Sequence, residues 1–512
     1  MTATRPAAAQ SAPETGGELL ARILTERRKS WQGRGQCKDP AAPDTAKLPP
    51  LPRTWTWATV GQLGQTTTGF TPPKQDASLF GGDIPFFKPS DLDVGYNVRE
   101  FRDSLTEAGA EHGRVLPPLS ILVTCIGATI GKTGLARVRC TTNQQINALT
   151  VPTDLVSPHF VYWYFNTSFG QRQITENASA TTLPILNKSR FEALPIPLAP
   201  LPEQRQIVAE IEKQSTRLEV GVAALQRVHA NLKRYRAAVL KAASEGRLVP
   251  TEAELAKTGK HRSVFESGES LLARILTERR QNWNGCGKYK EPASPKTTNL
   301  PRLPDGWTWA TPDQLADAGE GAICAGPFGT IFKAKDFRPV GVPIIFLRHV
   351  APGRYLTHKP GFMDDARWKD LFHPYSVYGG ELLITKLGEP PGVCAIYPVG
   401  IGPAMVTPDV MKMTPNPVAA LPMFLMHYFN SQTARDFATG VAFGTTRLRL
   451  TLPIFREMPV PLPPLVEQSR IVSEVERRLS VVEELERVVS ANLQRATRLR
   501  QSVLQKAFTG GL

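Results

Sequence analysis

The segment Ile126 to Gly134, IGATIGKTG, carries the glycines, lysine and threonine of a phosphate-cradling loop. Such a loop needs four residues between its first glycine and the Gly-Lys-Thr, so that successive backbone N–H groups can wrap the phosphates. Here Gly127 and Gly131 enclose three, and the matching segment Gly388 to Gly392 has no lysine. Both read as tight glycine turns between strands, and no ATP site is assigned. Thr71-Pro72-Pro73-Lys74 is similar to the Asn/Asp-Pro-Pro-Tyr/Phe loop of adenine methyltransferases, but lacks the leading amide or carboxylate and the closing aromatic. Pro408-Asp409 starts like a nuclease motif with no Glu-x-Lys partner in context. The eight histidines form no HExxH cluster, and no serine or cysteine sits in a nucleophile context. No catalytic residue and no metal ligand set is assigned, and the chain reads as non-catalytic by itself.

What remains is basic and polar surface. Lys88, Lys132, Arg348, Lys386, Arg447 and Arg449 are candidates to hold phosphates, with Ser90 beside Lys88. Gln144, Gln145 and Asn147 have the paired donor and acceptor that reads base edges. The formal charge of +15 favours a polyanionic partner, nucleic acid or an anionic membrane surface, and composition does not choose between them. No apolar run is long enough to span a membrane. The first 16 residues read as a disordered leader, not a signal peptide. The six cysteines, Cys37, Cys125, Cys140, Cys286, Cys324 and Cys394, show no CxxC pair, as expected of reduced thiols in a cytoplasmic protein.

Two long helices must position these groups. From Ile207, alternate steps of four and three residues pass through Ile211, Gln214, Leu218, Gly221, Leu225, Val228, Leu232, Tyr235, Val239 and Ala242, a mostly apolar seam with charged flanks. The C-terminal stretch repeats the pattern at Ile471, Val475, Val482, Leu485, Val489, Leu499 and Val503. Prolines confine the first helix at its start, and Gly246 and Pro250 stop it. Some forty residues make a rod of roughly 60 Å. One narrow stripe cannot be buried alone, and the shared PLxPLxEQ entry (Glu203-Gln204 and Glu467-Gln468) predicts that the two helices pair with each other.

The remainder is duplicated as well. GELLARILTERRKSW (Gly17 to Trp31) returns at Gly268 to Trp283, and Trp55-Thr56-Trp57 returns as Trp307-Thr308-Trp309. The repeat continues through Tyr164-Phe165-Asn166 against Tyr428-Phe429-Asn430, and Thr181-Thr182 against Thr445-Thr446. The runs IPFF, ILVTCI, VPIIFL and ELLIT predict strands; VYWYF and MFLMHYF predict short helices or strands. Each body is a mixed α/β (α+β) domain. The expected division is a leader at 1–16, a short helix and linker at 17–52, a first body at 53–196 and a central long helix at 197–250. A linker and short helix at 251–304, a second body at 305–458 and a C-terminal long helix at 459–512 follow. The frame is kept while polar positions change: Asn143-Gln144-Gln145-Ile146-Asn147 becomes Val406-Thr407-Pro408-Asp409-Val410, and Lys88-Pro89-Ser90-Asp91 becomes Phe346-Leu347-Arg348-His349.

This arrangement resembles the specificity (S) subunit of type I restriction-modification systems. The matching stretches are Thr181-Thr182 leading to PIPLAPLPEQRQIV and EGRLVP, and Thr445-Thr446 leading to PVPLPPLVEQSRIV and FTGGL. The second copy's GEPPGVC departs from the usual glycine hairpin. The resemblance implies two target recognition domains with an internal pseudo-twofold repeat, separated by two long antiparallel coiled-coil helices. Each domain would read one half of an asymmetric, bipartite site in double-stranded DNA, and the helices would set the spacer. Two methyltransferase (M) subunits would dock around the helices, and restriction (R) subunits would join them. This chain would bind no cofactor; S-adenosylmethionine, ATP and Mg would reside on the partners. Two other classes are weighed beside it: a coiled-coil adaptor between proteins without sequence-specific DNA binding, and a fused enzyme with chemistry in one body.

Overall fold

Short apolar runs bounded by glycine and proline form strands in both copies, at Phe80–Phe87, Ile121–Thr124, Val342–Ile345 and Leu382–Thr385. The two aromatic runs are helices, Pro158–Phe165 and Pro422–Phe429. Each starts on a proline, which suits the first turn, where its missing N–H is no loss. The computed structural model describes residues 13–32, 37–179, 183–258, 265–283, 288–298, 300–327, 332–333, 336–388, 390–441 and 448–511. The chain forms two compact units, one of residues up to Gln226 together with Ser490 onward, the other Arg227–Val489.

In the first unit a four-stranded antiparallel sheet runs in the order Gln65–Thr68, Ile146–Thr150, Ile121–Thr124, Thr133–Leu135. A second sheet pairs Phe80–Phe87 with Ser104–Leu105 and, in parallel, with Thr141–Thr142. Thr56–Thr59 pairs with Pro195–Leu198, so the body's first and last strands close it. The second unit repeats this plan. Its four-stranded sheet runs Ile323–Ala325, Val410–Met413, Leu382–Thr385, Cys394–Ile396. Val342–Ile345 is parallel to Ala404–Val406 in a five-stranded sheet, and Thr308–Ala310 pairs with Val460–Leu462.

The recurrent short helices, Gly16–Lys29 and Gly268–Gln281, bury Leu19 and Ile23, and Leu271 and Ile275. Their arginines do a specific job. Arg27 donates to the carbonyls of Gly61 and Gly64, and Arg279 to those of Asp313 and Ala316, satisfying groups left open at the ends of the one-turn helices Val60–Leu63 and Pro312–Leu315.

The long helices span Leu201–Ser244 and Leu465–Ala507. The PLxPLxEQ entry ties each to its body. Glu203 accepts from the Trp55 indole at 2.9 Å, and Glu467 from Trp307 at 2.8 Å. Gln204 accepts from the backbone of Ser157 and donates to Ala199; Gln468 accepts from Leu421 and donates to Pro463. One carboxylate thus holds the opening strand, and one amide holds the start of the aromatic helix. Both helices stop the same way. Gly246 and Gly510 have positive φ, and a side chain there would strike Pro304 or Pro52.

Within each unit the helical segments run antiparallel. In the first, Glu219 meets Arg500 at 3.3 Å, and Ile207, Val208 and Ile211 share a core with Leu504, Ala507 and Phe508. In the second, Arg236 meets Glu486 at 2.9 Å and Glu483 at 3.8 Å. Of the two lines of the expected seam, the one through Ile211 and Val475 holds throughout, and the one begun by Ile207 and Ile471 holds only at its start. Ile207, Ile211, Leu232, Val239, Ile471, Val475, Val482 and Val489 are buried, with Leu218, Leu225 and Val503 half-buried. Tyr235, Leu485 and Leu499 are instead 46%, 44% and 54% exposed. The second line passes one residue later, through Val222, Arg236 and Ala243 on one helix and Leu479, Glu486 and Leu493 on the other. The reason is chemical: an Arg–Glu pair occupies the seam where apolarity alone points to the neighbouring Tyr235 and Leu485.

Candidate nucleic-acid interface

Parallel strands bring their carboxyl ends to one edge, where open α/β sheets present ligand-binding loops. In the first body this edge gathers the residues after Phe87, after Thr142 and after Thr124. Backbone bonds fix them together: Asn143 N–H to Phe87 O at 3.1 Å, Cys125 N–H to Gln145 O at 2.7 Å, and Leu186 N–H to Cys125 O at 2.8 Å. The IGATIGKTG segment is a hairpin turn between Ile121–Thr124 and Thr133–Leu135, with Gly127 and Gly131 at positive φ.

Lys88, Ser90, Gln144 and Gln145 lie at this edge. Lys88 is half-buried, 2.7 Å from Asp103, and Ser90 is exposed. Gln144 is exposed and accepts from the Thr71 hydroxyl at 2.6 Å, which draws the TPPK loop to the same place. Gln145 accepts from the Asn143 amide at 2.8 Å. Two candidates point elsewhere. Asn147 is 3% exposed, accepts from Thr68 at 2.7 Å and donates to Leu186 at 3.3 Å, so its amide serves the sheet interior and not a base edge. Lys132 turns toward Asp93 at 2.6 Å and lines a cavity of about 720 Å³ with Tyr96, Trp163, Glu212, Glu219 and Arg500.

The second body reproduces the backbone frame, and its bonds correct the alignment read from sequence by one residue: Asn143 answers to Thr407 and Gln145 to Asp409, not to Val406 and Pro408. Thr407 N–H bonds Ile345 O at 3.1 Å, Lys386 N–H bonds Asp409 O at 2.8 Å, and Leu450 N–H bonds Lys386 O at 2.8 Å. Arg348 is exposed, stacks over the Phe346 ring at 4.1 Å and donates to Lys359 O. Arg449 lies 3.9 Å from Asp409. Lys386 is 4% exposed, and burial holds its ammonium below the usual lysine range; Arg449 adds to that, and Asp409 opposes it. Arg447, Thr181-Thr182 and Thr445-Thr446 lie outside the described residues.

Sequence reasoning set Asp409 aside with the incomplete nuclease motif, and passed over Tyr96. The Tyr96 hydroxyl bonds Glu212 of the long helix and faces His159, while Arg137 covers its ring at 4.6 Å. The equivalent Glu476 faces His427 at 2.7 Å. Recurrence of a glutamate at the same helical position was the available signal. Among the described residues no cluster of three or more His, Cys, Asp or Glu is gathered for a metal, and no helix is long and apolar enough to cross a membrane.

Residues 52–221 match the family model described as the type I restriction modification DNA specificity domain. The chain is 25% identical over 361 residues to the type I restriction enzyme EcoDI specificity subunit of Escherichia coli, covering 70% of this chain and 71% of that protein. It is 22% identical to the EcoKI specificity subunit of Escherichia coli K12 across 90% of both chains. A solved structure from work on complex assembly and conformational transition of the type I R-M system aligns with a TM-score of 0.61 at 18% identity, covering 90% of this chain and all of that one. With its duplicated frame and paired helices, the chain is similar across most of its length to specificity subunits of type I restriction-modification systems, and residues 52–221 match the family's DNA specificity domain.

Proposed function

We propose that this chain selects the DNA sequence on which a type I restriction-modification complex acts, each body binding one half of a bipartite, asymmetric site. The observation that carries this reading is the repeated edge: the same backbone bonds in both bodies hold Asn143-Gln144-Gln145 in one and Thr407-Pro408-Asp409 in the other. A kept frame with changed polar side chains is what two readers of different sequences require. The net charge of +15 supplies the non-specific attraction to phosphates.

The paired helices set the spacer between half-sites. A helix of 44 residues is about 66 Å long at 1.5 Å per residue, against roughly 34 Å between successive major-groove sites on one DNA face. Two methyltransferase subunits dock on these helices. The exposed Val481, Leu485 and Val488, one stripe on the second long helix, support an apolar docking surface there. S-adenosylmethionine, ATP and Mg belong to the methyltransferase and restriction partners, and this chain contributes no catalytic residue. The setting is the cytoplasm, where the DNA is.

The test is co-expression with its methyltransferase partner, followed by sequencing of modified adenines in the host DNA. A two-part motif with a fixed unread gap is expected. Modification without a gapped motif, from an active partner, would leave an adaptor between proteins as the better account.

A further inference from the structure

The two reading edges can be compared position by position, because their backbone bonds coincide. Cys125 N–H bonds Gln145 O as Lys386 N–H bonds Asp409 O. Ile126 bridges Ile185 as Leu387 bridges Arg449. Three side-chain positions therefore correspond: Cys125 with Lys386, Gln145 with Asp409, and Ile185 with Arg449. The first of each set is buried behind the other two, Cys125 at 2% and Lys386 at 4% exposure. The outer pair is accessible in both bodies. Gln145 is half-buried and Ile185 exposed, while the Asp409 and Arg449 side chains are 42% and 43% exposed.

The chemistry of the outer pairs is opposite in kind. Asp409 and Arg449 place an acceptor and a forked donor 3.9 Å apart. In the major groove one G·C pair shows the complementary set side by side, the cytosine N4 donor and the guanine O6 and N7 acceptors. Gln145 and Ile185 offer an amide and an aliphatic surface. One A·T pair shows the complement of those, the adenine N6 and N7 edge and the thymine methyl. A surface ion pair at 3.9 Å stabilises the fold little, so both charged groups can turn to an outside partner at small cost. Resting on the function proposed above, we propose that Asp409 and Arg449 read a G·C pair in the second half-site, at the place where Gln145 and Ile185 read an A·T pair in the first. Lys386 stands behind Asp409 and Arg449 as a positioning residue.

The experiment uses the full chain with its methyltransferase partner, scored by sequencing of modified adenines and by selection from a randomised DNA library. Arg449→Ala and Arg449→Lys are each expected to relax one G·C position in one half-site about ten- to a hundred-fold, leaving the other half-site unchanged. Asp409→Asn should affect the same base pair. The exchange Lys386→Cys, Asp409→Gln, Arg449→Ile should move that position toward A·T. Thermal melting of each variant complex separates loss of reading from loss of folding, and the library selection reads specificity even where methylation is weak. An unchanged motif in Arg449→Ala would overturn the assignment. So would a change confined to A·T positions, or uniform weakening on all sequences with a shallower salt dependence, which marks a phosphate contact. A wild-type complex that yields no gapped motif would instead overturn the proposed function, and this assignment with it.

Discussion

Glu467 shows how much one side chain can hold. It accepts from the Trp307 indole and from the backbone of Glu252, and burial raises its carboxyl above the ordinary value of 4.5, with those two bonds and Arg470 opposing. A raised carboxylate favours the protonated folded state. This contribution is therefore present at low pH and is lost as pH rises through the folded-state value. Glu467→Gln should flatten the limb of a melting-temperature profile that falls as pH rises above 4.5. Glu467→Ala orphans two buried donors and should cost about 2–4 kcal/mol in denaturant unfolding. A cost under about 0.5 kcal/mol would mean water replaces the carboxylate. The thiols give a second prediction. Burial pushes Cys125 and Cys140 up to about 12, and raises Cys394 too, so native protein at pH 8 should leave these three unlabelled by a thiol reagent until it is unfolded. Sequence showed the Glu-Gln pair as a recurring motif, but not what it binds, because Trp55 and Trp307 lie far off along the chain.

At the scale of elements, the long helices test how far periodicity reaches. The line through Ile211, Leu218, Leu225, Leu232 and Val239 follows every seventh residue and was legible from the apolar pattern. The neighbouring line was not, because Arg236 and Glu486 occupy it as a pair and Tyr235 and Leu485 offered a more apolar decoy. Val482→Ala should destabilise the isolated chain by about 1–2 kcal/mol, whereas Leu485→Ala should stay within about 0.5 kcal/mol. Equal effects in urea unfolding would restore the original seam. The strands were legible because short apolar runs ended at glycine and proline. The candidate site was legible in part: Gln144 and Gln145 stand at the edge, but Asn147, two residues on in a strand, turns inward to Thr68 and Leu186. Only the register decides which side of a strand faces the core.

At the scale of the whole molecule, the duplication was legible from recurring segments, and it predicts separable functions. Inserting seven residues into both long helices keeps the seam in register. It should lengthen the unread gap of the methylated motif while both half-sites stay the same; an unchanged gap would remove the helices as the spacer. The division of the chain has another consequence, in time. The first unit needs Ser490 onward, and Phe508 packs on Phe160 and Tyr164 at ring separations of 4.8 and 5.6 Å. Those residues leave the ribosome after the whole of Arg227–Val489. At roughly 5–20 residues per second the nascent first unit waits about 10–60 s with its aromatic face open. The second unit has all its segments before the first can close. The part of the protein made first is thus finished last, and until then it depends on whatever shelters nascent chains in the cell.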